Sequence, residues 1–119
     1  MGANEAIFKH GSPLMVDHTP SGADVPGGEV VIVGVTPMIA HRDIADTELG
    51  ALAVSGGVYE MTGDASLAAG VEVFWDDTAK KVTATASGNS HFGHTRNAEI
   101  GADDEKGFIV HDPKSVQAA

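Results

Sequence analysis

Val71-Glu72-Val73-Phe74-Trp75-Asp76-Asp77-Thr78-Ala79-Lys80-Lys81-Val82-Thr83-Ala84-Thr85-Ala86 reads as a β-hairpin. Side chains alternate across a strand, so a period of two marks a strand with one buried face. Val71, Val73 and Trp75 share one side of the first strand, leaving Glu72 and Phe74 on the other. In the second, Val82, Ala84 and Ala86 oppose Lys81, Thr83 and Thr85. Asp76-Asp77 supplies the turn, since aspartate bonds its own backbone.

The rest of the chain repeats this pattern. Fifteen glycines and five prolines punctuate short apolar runs, a rhythm of turns between many strands. Ten strands are predicted: Ala6–Lys9, Leu14–Asp17, Glu29–Val35, Met38–His41, Leu52–Ser55, Val58–Met61, Val71–Trp75, Val82–Ala86, His91–Arg96 and Phe108–His111. Val30-Val31-Ile32-Val33 is β-branched throughout, which predicts a strand buried on both faces. Only Asp43–Leu49 and Ala65–Ala69, the latter capped by Asp64, could hold a short helix. The expected fold is all-β, a compact β-barrel or sandwich with short turns and at most two short helices. A chain of 119 residues suits one domain spanning residues 1–119. Residues 1–4 and 114–119 are expected to be flexible ends.

Composition removes whole classes of function. No cysteine is present, so disulfides, thiolate metal sites and cysteine nucleophiles are excluded. The longest apolar stretch, near Val30–Val35, is far short of a membrane helix. No signal peptide is read, because Asn4, Glu5, Lys9 and His10 interrupt any apolar core; a soluble chain is expected. Seventeen acidic against seven basic residues leave a formal charge of −10. Nucleic acid and anionic membranes would be repelled, since both recruit lysine and arginine.

The motifs of enzymes are missing as well. No Gly-Lys pair exists for a phosphate-binding loop, and no two glycines are spaced by one residue for a dinucleotide fingerprint. Ser55 lacks the preceding glycine of a nucleophile elbow. His91 and His94 could be ligands of a metal-assisted hydrolase, but residues three apart on an extended strand point to opposite faces. Asp103-Asp104-Glu105 lacks the spaced oxygens and central glycine of a calcium loop. Asp76 and Asp77 could pair for glycoside chemistry, but the turn explains them. Trp75, Phe74 and Tyr59 could form a sugar-stacking platform, though with so few aromatics core packing is the better reading. No catalytic, cofactor-binding or metal site is therefore assigned. Protonating all six histidines would take −10 to −4, relaxing acidic self-repulsion below about pH 6.

Taken in order, the pieces resemble a family of small tailed-phage and prophage proteins, the capsid decoration or cement proteins. Members often circulate under the label of RecA/RadA-like phage recombinases. The resemblance rests on Ile7-Phe8-Lys9-His10-Gly11, Leu14-Met15-Val16, the Pro26-Gly27-Gly28 turn into Val30-Val31-Ile32-Val33-Gly34, and Asp43-Ile44-Ala45. It continues through Leu49–Glu60, the stretch Leu67–Thr83 containing the hairpin, and Gly88-Asn89 before Phe92-Gly93. The end departs, where Gly107–Pro113 runs into an extra polar tail. The recombinase label finds no support, because the ATP-binding loop is missing.

The resemblance implies a non-enzymatic virion protein, without cofactors, made in the host cytoplasm and carried on the outside of the phage head. Its implied partner is the major capsid protein, and homotrimers on the shell are implied. Capsid-contact residues stay unknown; the N-terminal arm through His10 is where a neighbour's sheet edge could add a strand. A small β-barrel ligand- or carbohydrate-binding module, with Trp75, Phe74 or Tyr59 as platform, is the alternative.

Overall fold

The computed structural model describes residues 5–34, 36–63, 67–68, 70–95 and 105–113. They form ten strands: β1 (Ile7–His10), β2 (Leu14–His18), β3 (Val30–Val33), β4 (Thr36–Ala40), β5 (Gly50–Ser55), β6 (Val58–Thr62), β7 (Glu72–Asp76), β8 (Lys81–Thr83), β9 (Ser90–Thr95) and β10 (Lys106–His111). Each overlaps one of the ten expected strands. The termini expected to be flexible, 1–4 and 114–119, lie outside the described residues.

Two antiparallel sheets result, one of six strands in the order β1-β6-β10-β9-β7-β8 and one of four in the order β2-β5-β4-β3. They stack as a sandwich rather than a closed barrel, although a single parallel bridge, Gly63 to Val82, brings β8 back to the end of β6. Tyr59, Met61, Val73, Trp75, Val82, Phe92 and Ile109 of the larger sheet meet Val30, Ile39 and Ala53 of the smaller. Each of the large apolar side chains contributes about 1.5–3 kcal/mol by leaving water. A second cluster of Val25, Ala40, Ile44 and Leu52 covers the outer face of the smaller sheet.

The hairpin forms with Trp75 opposite Val82, and Val73 and Trp75 are buried as the alternation requires. Its second strand stops early, at Thr83. The Thr83 hydroxyl accepts the Thr85 amide, and Asn89 Nδ2 donates to the Thr85 carbonyl. Those side-chain bonds replace ladder bonds, leaving Ala84 exposed and Thr83 buried.

Two further expectations change, and a third falls mostly outside the described residues. Val30–Val33 is not buried on both faces: β3 ends its sheet, so Val31 and Ile32 are half-buried and Val33 is exposed. β-Branching reports strand preference, not the number of neighbours a strand will have. Asp43–Leu49 is not a helix. Ile44 bridges Val25 in extended form and seals the second cluster, while Asp43 and Asp46 accept the amides of Gly27 and Gly22. Most of Ala65–Ala69 lies outside the described residues; Leu67 is in the core, and the Ala68 carbonyl accepts the Thr95 hydroxyl.

Candidate interaction surface at the N-terminal arm

Residues 7–18 run antiparallel to residues 50–62 along their whole length, β1 against β6 and β2 against β5. Both ribbons bend where they pass from one sheet to the other, at Gly11 and at Gly56-Gly57. A Cβ on Gly11 would stand 2.7 Å from the Gly57 Cα, and Gly57 holds a φ of 88°. Only glycine allows so close a backbone approach with that dihedral. The bend makes one arm the terminal strand of both sheets.

The arm carries most of the exposed apolar surface. Phe8, Leu14, Met15 and Val16 belong to it, and Leu49, 71% exposed, stands beside them; among the described residues only Val33 of the large exposed apolar side chains is elsewhere. Phe8, Pro13, Met15, His41, Arg42 and Leu49 line a groove of about 780 Å³. Grouped apolar side chains beside an edge strand suit an extended protein segment, which gains backbone bonds from the edge and side-chain burial from the groove.

The groove wall is fixed by two histidines that cross between the sheets. His41 packs on Phe8 at a centroid distance of 4.8 Å, and its Nε2 is hydrogen-bonded to the Tyr59 hydroxyl at 2.6 Å. Burial holds the Tyr59 hydroxyl protonated well above its usual range and pushes the His41 imidazole down, so both partners are neutral. Behind them His111, fully buried, donates from Nε2 to the Pro37 carbonyl at 2.8 Å and packs on Phe92 at 4.6 Å. Tyr59→Phe removes the hydroxyl and is expected to cost about 1 kcal/mol in urea unfolding, with the fold unchanged. An unchanged unfolding midpoint would show that this bond adds nothing.

The chemical candidates read from the sequence fare differently. His91 and His94 do share a face, against expectation. A bulge at Phe92-Gly93 sets His94 opposite Glu72 and His91 opposite Phe74, all on the side away from the core. A bulge adds a residue and thereby resets the alternation. His91 Nε2 lies 3.6 Å from Glu72 Oε2, yet no group of three ligating side chains assembles among the described residues. Trp75, Phe74 and Tyr59 are buried, Trp75 with its indole N–H donating to Asp77. They offer sugars no platform, so the carbohydrate-binding alternative loses its stacking surface.

Asp76 and Asp77 are turn residues. Asp76 accepts the amides of Thr78 and Ala79, and Asp77 accepts Trp75 Nε1 and Lys80 Nζ. Ser55 ends β5 opposite Leu14. Asp103 and Asp104 lie outside the described residues, and the Glu105 carbonyl accepts the Gly63 amide. His10 closes β1 within the exposed arm. Leu49, His41 and Arg42 were not legible as surface residues. The only signal was an apolar Leu49 stranded between Glu48 and Gly50 in a polar loop.

No curated protein and no solved structure matches the chain. A family model of phage cement proteins matches residues 9–110, a segment that runs from the end of β1 through nearly all of β10 and takes in the hairpin, most of the bent ribbon and the groove lining other than Phe8. This chain therefore belongs to the phage cement protein family.

Proposed function

We propose that the protein binds the outside of a phage head and stabilises the major-capsid lattice, with the β1 edge and the groove beneath Phe8 and Leu49 as its capsid-facing surface. The observation that carries this is the collection of exposed apolar side chains on one arm that is also a sheet edge. Membership of the cement family supplies the shell as the surface to be bound. The acidic charge of −10 keeps the protein off the packaged DNA. Homotrimers on the shell would multiply weak contacts, since each tether raises the effective concentration of the next. The role needs no catalytic group, and none is proposed.

The test is to pellet expanded, undecorated heads of the protein's own phage with increasing amounts of the protein. Saturable binding at a fixed ratio to the major capsid protein, with a raised head-bursting temperature, is expected. Protein left in the supernatant at every ratio would sink the reading. Leu49→Lys is expected to change stability by less than about 0.5 kcal/mol, as for other exposed positions. It should nevertheless weaken head binding by about tenfold or more, because a lysine ammonium would enter an apolar contact. Full binding by Leu49→Lys would remove the groove from the contact.

A further inference from the structure

Among the described residues the four-stranded sheet has two open edges. At one, β3 reads Val30-Val31-Ile32-Val33, without charge, proline or bulge inside the strand. Natural sheets blunt such edges, because a bare, flat, apolar strand recruits another strand. Among the described residues its one polar cap is Glu5, whose Oε1 accepts the Val30 amide at 2.9 Å. At the other edge β2 presents Leu14, Met15 and Val16, all exposed. The three strand pairs of this sheet are antiparallel, so β2 and β3 run in opposite directions. A second copy rotated about an axis along the strands therefore brings its β2 antiparallel to β3.

We propose that β3 takes a second copy of this chain by its β2 edge, head to tail, with Val30 opposite Asp17, Val31 opposite Val16, Ile32 opposite Met15 and Val33 opposite Leu14. Three independent features select this register. The first is facing. Val30 and Ile32 pair with Ile39 and Pro37 on the core side, and Met15 and Asp17 pair with Ala53 and Ala51 on that same side. Val31 and Val16 both lie on the outer side, with Met38 and Leu52. A slip of one residue would set core-facing against outward-facing side chains.

The second feature is hydrogen-bond phase. The Ala40 amide donates to Glu29, so Ala40 faces β3 and Val31 faces β4. Val30 and Ile32 then turn their amides to the open side, as the Glu5 cap on Val30 shows. The same alternation carried through Ile39, Ala53, Leu52 and Val16 turns Met15 and Asp17 outward from β2. The groups that must bond are the groups that are open. On pairing, the Val30 amide exchanges Glu5 for the Asp17 carbonyl of the second copy.

The third feature is polar complementarity. One residue beyond the paired segment, Glu29 meets His18 of the second copy. Burial and the neighbouring Glu5 push the Glu29 carboxyl above its ordinary value, with Lys80 acting against them, and an imidazole N–H there can donate to that carboxylate. The contact leaves β1 and Leu49 open, shares Met15 with the groove, and is measurable without capsid.

Sedimentation of the full chain up to about 1 mM tests the proposal. Self-association is expected. It should weaken by about tenfold or more in Val33→Lys, which charges the β3 edge, and in Leu14→Lys/Val16→Lys, which charges the β2 edge. Thermal unfolding of the separate variants checks that each is folded. An equimolar mixture of the two should form a dimer, because each retains the edge the other has lost. A monomeric native protein, a mixture that stays monomeric, or undiminished association by the β2-edge variant alone would overturn the head-to-tail pairing.

Discussion

Gly93→Ala is expected to destabilise the protein by more than about 3 kcal/mol or to abolish folding. Gly93 sits in β9 between β7 and β10, opposite Val73 on one side and His111 on the other. A Cβ built there overlaps the Val110 carbonyl oxygen and stands 2.9 Å from the Asp112 amide. Neither neighbour is a flexible side chain that could swing away. Both are backbone of β10, and the Asp112 amide is already held by the Phe92 carbonyl at 2.9 Å. Relief requires β10 to move, which would open the pairing that carries Ile109 and His111 into the core. Urea unfolding measures the loss. His94→Ala, one residue along at a half-buried position, provides the contrast and should cost about 1 kcal/mol or less. A Gly93→Ala protein as stable as the parent would mean that β9 and β10 are further apart than described.

Acid should destabilise the fold through His111, against the sign expected from net charge. Protonating six histidines relaxes a formal −10 to −4, which alone would favour the folded state at low pH. His111 opposes this. Burial is the leading cause that drives its imidazole from 6.5 down to about 4, outweighing the Pro37 carbonyl and Asp112, which favour the charged form; His41 adds slightly to the depression. The Tyr59 ring meets it edge-on at 5.8 Å and brings no charge. The folded value lies below the unfolded one, so between pH 6.5 and 4 the unfolded chain takes up a proton that the folded chain refuses. The stabilisation is complete above pH 6.5 and is lost progressively as pH falls toward 4. At about 1.4 kcal/mol per unit the loss amounts to about 3 kcal/mol. His111→Phe keeps an aromatic ring against Phe92 and should be less stable at pH 7, because the Pro37 carbonyl loses its donor. Its stability should fall much less between pH 6.5 and 4. An acid limb as steep as the parent's would remove His111 as the cause.

Strand identity was largely legible because period-two alternation and glycine-marked turns are local properties. The hairpin at Val71–Ala86 shows both the reach and the limit. Val73 and Trp75 took the buried side as read, while Thr83 kept the face opposite Val82, beside Phe74, and is nevertheless buried there, its hydroxyl ending the strand. The short helix that Asp43–Leu49 could have held did not form, because a distant partner, Val25, drew Ile44 into extended form. His91 and His94 were assigned opposite faces because a bulge depends on register with β7, which the chain does not announce. The groove was the least legible feature. Phe8, His41 and Leu49 lie more than thirty positions apart or in different turns, and they meet only because the arm bends at Gly11.

Composition and local pattern alone determined that this is an all-β chain without cysteine and with a formal charge of −10; the resemblance to phage cement proteins came separately, from the ordered set of motifs. Those properties belong to residue types and to neighbours within a few positions. Only the tertiary structure decided which strands became edges, which histidines were buried, and where the exposed apolar side chains gathered. Each of those outcomes is set by pairing between segments distant in the chain, such as His111 with Pro37 and β2 with β5. Burial and edge exposure are properties of the assembled sheets, so no window of sequence contains them.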